Sequence, residues 1–296
     1  MPEDGLDWLP REDLLRFEEI VRIARVLTER HGVDCIRLTG GEPTVRHNLT
    51  ELIEMLSVLD TDLAMTTNGA TLRGTADKYR AAGLKRINIS LDSLDRERFE
   101  RLTRRDELDR VLDGIDAAVE AGFDPVKINV VAMRGVNDDE IVDFARFGRD
   151  RGVEVRFIEW MPLDADEGWT NDRVLTQREI VEQINEVFPL TAEQRGSEPA
   201  ERFSYDDGNG RVGVIASVTQ AFCGDCDRMR LTAEGQFRNC LFAVDETDLR
   251  TILRGGGTDD DLSAAMMGSI ADKWAGHQIG KVHFIRPKRS MSQIGG

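Results

Sequence analysis

The chain has 296 residues, 55 acidic against 39 basic side chains, a formal net charge of −16 and 40% hydrophobic residues, enough to bury a core in one large or two modest domains. No run of about 18 apolar residues occurs, which excludes a membrane-spanning helix, and the opening MPEDGLDWLP lacks the basic-then-apolar order of a secretory signal. So acidic a surface repels phosphate backbones, which argues against general nucleic-acid binding and leaves a soluble cytoplasmic protein as the expectation.

The basic residues are 33 Arg and 6 Lys. That bias fits a halophilic protein kept soluble in concentrated salt, and it equally fits an ordinary acidic enzyme from a GC-rich genome.

Apolar, β-branched runs predict strands at Cys35–Thr39, Leu63–Thr67, Arg86–Leu91, Val126–Val131 and Val153–Glu159. Between them, helical spacing of apolar residues predicts helices at Leu49–Leu59, Asp109–Ala121, Asp138–Asp150 and Gln177–Val187. Asn137 and Thr176 are candidate N-caps, and Gly83 and Gly122 stand where a helix must stop before the next strand. This alternation means βα units and a parallel sheet. Polar residues crowd the C-terminal strand ends, at Thr39-Gly40-Gly41-Glu42, Thr66-Thr67-Asn68-Gly69, Ser90-Leu91-Asp92-Ser93 and Glu159-Trp160-Met161-Pro162, the rim on which (β/α) barrels build their sites. Five strands are too few for a closed eight-stranded barrel, so the expected fold is α/β, a partial TIM-type (β/α) barrel.

Near residue 190 the pattern changes. A polar, turn-rich stretch holds Asp207-Gly208-Asn209-Gly210, read as a hairpin tip. A cysteine cluster follows, then two short helices near Glu246–Leu253 and Asp259–Trp274. The expected division is a barrel over 1–190 and an α+β extension over 191–296.

The four cysteines are Cys35, Cys223, Cys226 and Cys240. Cys35, inside an apolar strand, is expected to be a buried core thiol. The other three form Cys223-x2-Cys226-x13-Cys240, and in a cytosolic chain that arrangement suggests a metal site rather than a disulfide. The residues around Ala233-Glu234-Gly235 read as a hairpin that returns the third thiolate to the pair. Tetrahedral zinc wants a fourth ligand, whereas a [4Fe–4S] cluster can leave one iron without a protein ligand; spacing alone leaves both open. Arg37 and Lys127 each interrupt an apolar strand, so each must either meet an acid or face a ligand. Arg156 is a candidate on the same grounds, and Arg228 and Arg230 alternate beside Cys226 so as to share one side.

The ordered motifs RLTGGEP (37–43), TTNG (66–69), SLDSLD (90–95), NVVAMRGVN (129–137), RFIEWMP (156–162), FCGDCDRMR (222–230) and the terminal QIGG (293–296) resemble, end to end, the GTP 3′,8-cyclase family of the radical S-adenosylmethionine superfamily. GGEP alone would indicate only the superfamily; the cysteine loop and the Gly-Gly tail make the likeness specific. The resemblance implies conversion of GTP to (8S)-3′,8-cyclo-7,8-dihydroguanosine 5′-triphosphate, the first step of molybdenum cofactor biosynthesis, by a lyase. It implies S-adenosylmethionine beside Gly41, Glu42, Ser90 and Met161. It places GTP against Arg37, Thr66, Lys127, Arg156, Arg228, Met229 and Arg230, and a C-terminal [4Fe–4S] cluster on Cys223, Cys226 and Cys240. The Gly295-Gly296 tail would reach into the catalytic site. An electron-donor protein and a downstream cyclic pyranopterin monophosphate synthase are the implied partners, and a homodimer is left open.

The family's first strand and its Cys-x3-Cys-x2-Cys loop, which binds the N-terminal [4Fe–4S] cluster, ordinarily precede Met-Pro-Glu-x-Gly. These 296 residues open with Met1-Pro2-Glu3-Asp4-Gly5. The expectation is a barrel without its first strand, a free edge at Cys35–Thr39 and a chain that does not complete the reaction as written. Either a late-assigned start or a non-catalytic GTP- and cluster-binding remnant fits, as does another radical S-adenosylmethionine enzyme with an auxiliary cluster.

Overall fold

The computed structural model describes residues 9–163, 169–196 and 198–273, together with 276, 279 and 289. Strands β1 (Cys35–Leu38), β2 (Asp62–Thr67), β3 (Arg86–Ser90), β4 (Val126–Ala132) and β5 (Glu154–Glu159) pair in order and in parallel. Beyond them come β6 (Leu190–Ala192), β7 (Glu201–Tyr205) and β8 (Arg211–Ile215). The sheet has the order β1-β2-β3-β4-β5-β8-β7-β6, so β1 and β6 are its edges. The division expected at residue 190 falls inside this sheet. β8 inserts parallel to β5 and carries β7 and β6 with it as an antiparallel meander, through the hairpin predicted at 207–210.

The helices are α1 (Phe17–His31), α2 (Leu49–Ser57), α3 (Ala76–Ala81), α4 (Arg96–Thr103), α5 (Leu108–Glu120), α6 (Ile141–Arg151), α7 (Gln177–Asn185), α8 (Leu249–Arg254) and α9 (Asp259–Ala271). Thr176 caps α7 as expected, in a reciprocal box with Glu179. Asn137 does not cap. Its side-chain amide donates to the Asp92 and Val131 carbonyls and its oxygen accepts from the Met133 N–H, because satisfying a buried loop backbone outweighs capping a short turn.

Period-2 alternation gives the sheet two unlike faces. Met65, Ile87, Ile89, Ile128, Val155, Phe157 and Val212 face a single core with Ile53 and Leu56 of α2, Ile115 of α5 and Phe144 of α6. Each such side chain contributes about 1.5–3 kcal/mol by burial, and Phe144 meets Phe157 edge to face at 6.2 Å. The opposite face carries the polar residues.

A second core joins the two ends of the described chain. Leu15, Ile23 and Val26 pack on Phe237, Leu249, Leu262 and Met266. It gathers α1, α8 and α9 around the small sheet of β9 (Arg230–Leu231), β10 (Gln236–Arg238) and β11 (Thr247–Asp248). Arg254 Nε donates to Glu19 at 2.9 Å and Arg22 Nε to Asp259 at 2.7 Å across the same seam.

Candidate functional site

The polar face is ordered by register. Thr66 lies opposite Asn88, Asn88 opposite Lys127, and Lys127 opposite Glu154. Two residues nearer the strand ends, Ser90 lies opposite Asn129, Asn129 opposite Arg156, and Arg156 opposite Gly213. Gly213 makes room: a Cβ there would stand 3.2 Å from Arg156 Cγ. Arg37, opposite Ala64, shares this face.

Cations on this face are poorly compensated. Lys127 is 2% exposed, and burial, with the Arg156 guanidinium alongside, draws its ammonium down to about 8 despite Glu154 and Glu198. Arg37 is exposed at the end of β1, and Arg86, Arg156 and Arg228 add to the positive field around it. Arg230, in β9 beside the cysteine loop and not on this face, is brought down to about 10, mainly by burial and then by Arg228. Among the described residues, buried polar atoms also stand without a hydrogen-bond partner, among them Thr66 Oγ1 and Asn129 Oδ1. A depressed cation beside orphaned polar atoms is what a face prepared for an anionic, hydrogen-bonding ligand presents.

Arg156 differs. It is 4% exposed, its Nε donates to Glu154 Oε1 at 2.5 Å and its Nη2 donates to Glu198 Oε2 at 2.9 Å. Sequence reading shows the cation and misses both carboxylates, although Glu154 sits two residues away on the same face.

Along the rim, Gly41 and Ser90 are exposed and Met161 is half-buried. Gly40 holds φ +117°, a conformation that suits glycine and turns the chain out of β1. Glu42 Oε1 accepts from the Thr44 N–H and hydroxyl and from Thr67 Oγ1, while among the described residues Oε2 accepts only from the Asn68 N–H at 2.6 Å. One carboxylate oxygen therefore keeps lone-pair capacity for a further donor such as an amine. Two more carboxylates, Glu140, unread in the sequence, and the rim residue Glu159, brace the rim. Glu140 accepts from the Ser93 hydroxyl and the Leu94 and Asp95 N–H groups, and Glu159 accepts from Gln177, Val218 and Thr219.

Asp92 accepts one backbone N–H, from Val131 at 2.8 Å, and burial raises its carboxyl to about 6. Between its ordinary 3.8 and about 6 the folded chain holds a proton the unfolded chain has released, so its contribution favours folding at low pH and is lost as pH rises through 6. Asp92→Asn is therefore expected to raise the melting temperature at pH 7–8 and leave it unchanged near pH 4. Equal shifts at both pH values would show that the carboxyl is not strained.

Cys35 is exposed, contrary to the expected core thiol. It shares a face with Arg37 by period 2, and Arg86 Nη2 donates to its sulfur at 3.3 Å. In the cysteine loop, Cys223–Asp225 forms a short 3-10 turn and Cys226 and Cys240 are half-buried. The predicted hairpin is present, with Phe237 opposite Leu231. Among the described residues no three His, Cys, Asp or Glu side chains are gathered to hold a metal ion, so the structure does not close Cys223, Cys226 and Cys240 into a ligand set. Their surroundings nonetheless suit thiolates. The Phe242 N–H donates to Cys240 Sγ at 3.4 Å, and Lys273 Nζ donates to the Cys226 and Arg228 carbonyls at 2.6 and 3.0 Å, with Cys226 Sγ 3.6 Å away. Burial pushes the Cys226 thiol up, but the Arg228 N–H and guanidinium, with Lys273, hold it below its ordinary value. Arg228 is exposed, with its guanidinium 5.1 Å from the Phe222 ring, while Met229 turns the other way into the second core. Gly295 and Gly296 lie outside the described residues. Among the described residues no helix is long and apolar enough to cross a membrane.

A radical SAM superfamily model matches residues 5–148, and a Molybdenum Cofactor Synthesis C model matches residues 153–279. The GTP 3′,8-cyclase of Rhodopirellula baltica is 47% identical over 303 residues, covering 100% of this chain and 84% of its own. That of Streptomyces coelicolor is 47% identical over 301 residues, covering 100% of this chain and 88% of its own. Among solved structures, Streptococcus suis SuiB bound to S-adenosylmethionine aligns with a TM-score of 0.49 at 19% identity, over 58% of this chain and 39% of its own.

Proposed function

The chain belongs to the GTP 3′,8-cyclase family of radical S-adenosylmethionine enzymes, and from that premise we propose that its polar sheet face binds GTP and its rim S-adenosylmethionine, for the first step of molybdenum cofactor biosynthesis. The observation that carries this is the under-compensated Lys127, with Arg37 on the same face, near the Thr66 hydroxyl, which has no hydrogen-bond partner among the described residues. A triphosphate supplies the missing anions, and the nucleoside supplies partners for the orphaned polar atoms. At the rim, the spare lone pair of Glu42 Oε2 suits the methionyl amine, Ser90 offers a hydroxyl and Met161 an apolar contact. The protein's part is to hold the two substrates in register and keep water away from the reacting carbon.

Cys223, Cys226 and Cys240 would hold the C-terminal [4Fe–4S] cluster, with backbone N–H donors and Lys273 around the sulfurs. When bound, such a cluster supplies one iron without a protein ligand, to which guanine can attach. An electron donor and a cyclic pyranopterin monophosphate synthase are the partners this reading requires, with the cytoplasm as its compartment.

The test is anaerobic reconstitution of the 296-residue polypeptide. Expected are iron–sulfur absorption that is lost in Cys226→Ser and saturable GTP binding. Zinc uptake in place of iron, or the absence of nucleotide binding, would overturn the reading.

A further inference from the structure

One acidic side chain on the polar face has no part in the binding just proposed. Glu198 enters from the segment before β7, and its Oε2 accepts from both Arg156 Nη2 at 2.9 Å and Arg202 Nη2 at 2.5 Å. Burial alone would raise its carboxyl, yet Lys127, Arg156 and Arg202 hold it at about 2, so it stays ionised at any working pH. The two carboxylates on Arg156 are unlike. Glu154 is part of β5 with a side chain 3% exposed, fixed in the sheet and flanked also by Arg211 at 3.3 Å. Glu198 belongs to a connecting segment and its side chain is 39% exposed. A carboxylate that water reaches can leave a guanidinium at modest cost, whereas one sealed in a sheet cannot.

We propose that Glu198 is a displaceable counter-anion: it occupies the place of an anionic ligand group on Arg156 and Arg202, and it sets the affinity of the face for nucleotide by having to be moved aside. This rests on the reading that the face takes GTP. Four cations, Lys127, Arg156, Arg202 and Arg211, meet three carboxylates, Glu154, Glu193 and Glu198. With Glu198 in place the cluster is nearly balanced; with it displaced, the excess positive charge faces the incoming phosphates. A residue that only braced Arg156 would have the opposite effect on binding when removed.

The experiment is calorimetric titration of the full chain and of Glu198→Gln with GTP and with guanosine, which has no phosphate. Glu198→Gln is expected to bind GTP about tenfold more tightly, the scale of one charge-assisted hydrogen bond no longer in competition, with guanosine affinity unchanged. Glu198→Ala should shift GTP in the same direction, which guards against a folding defect peculiar to one variant. Unchanged or weaker GTP binding in the variants, with wild-type binding intact, overturns the role of Glu198 and leaves the nucleotide reading standing. Absence of GTP binding in wild type and variants alike overturns both.

Discussion

Replacing Lys127 with methionine is expected to stabilise the ligand-free protein and weaken its affinity for nucleotide in one step. Burial draws the lysine from 10.5 to about 8, and a charge held under that strain costs the folded state at most about 3 kcal/mol. The sign follows from proton counting: between about 8 and 10.5 the unfolded chain keeps a proton the folded chain has released. The cost is thus fully present below pH 8 and fades as pH rises toward 10.5. Methionine fills much the same volume without charge, and such replacements of strained buried ions are commonly neutral or stabilising. Thermal melting at pH 7 should therefore favour Lys127→Met, with the advantage shrinking by pH 9. Nucleotide binding should go the other way, by about 100-fold, because phosphate loses the most buried charged donor on the face while Arg156 stays paired with Glu154 and Glu198. GTP affinity within about threefold of wild type would show that the triphosphate lies elsewhere.

That opposition is half legible in the sequence. A lysine inside VKINVV can be seen to need an anion, because an apolar run gives it nowhere to hide. The βα rhythm is legible for the same reason: Ile87, Ile89, Ile128 and Phe157 must be covered, and only alternating helices cover a parallel sheet. Helix α1 is not predicted. FEEIVRIARVLTERH is rich in charge, and its apolar stripe is matched by α8, α9 and β10 more than 200 residues away. The apolar character of its strand misleads at Cys35, although the two-residue step to Arg37 already puts it on the polar face. What no local pattern can supply is pairing across distance. Glu198 on Arg156, and Glu140 on the Ser93–Asp95 loop, are contacts that only the folded chain creates.

Glu159 is the extreme case of such pairing, and its removal should cost the most stability. The side chain is 0% exposed. Oε1 accepts from the Gln177 N–H at 3.1 Å and Thr219 Oγ1 at 2.5 Å, and Oε2 from the Val218 and Thr219 N–H groups at 2.9 and 2.8 Å. One carboxylate therefore fastens three pieces: the end of β5, the start of α7 and the segment after β8 that leads to Cys223. Glu159→Gln keeps the shape but turns an NH2 toward backbone donors, so at least one N–H loses its acceptor and two donors face each other. Breaking a buried, fully satisfied charge in this way costs about 3–5 kcal/mol, a fall in melting temperature on the order of 10 °C for a chain of this size. Hydrogen exchange should quicken at residues 216–222 and at the first turn of α7 before it changes in β2 and β3, because the loss begins where the donors are. A melting point within about 2 °C of wild type, or exchange that quickens uniformly, would mean that these four hydrogen bonds do not anchor the rim and that the path from β5 to the cysteine loop is held by packing alone.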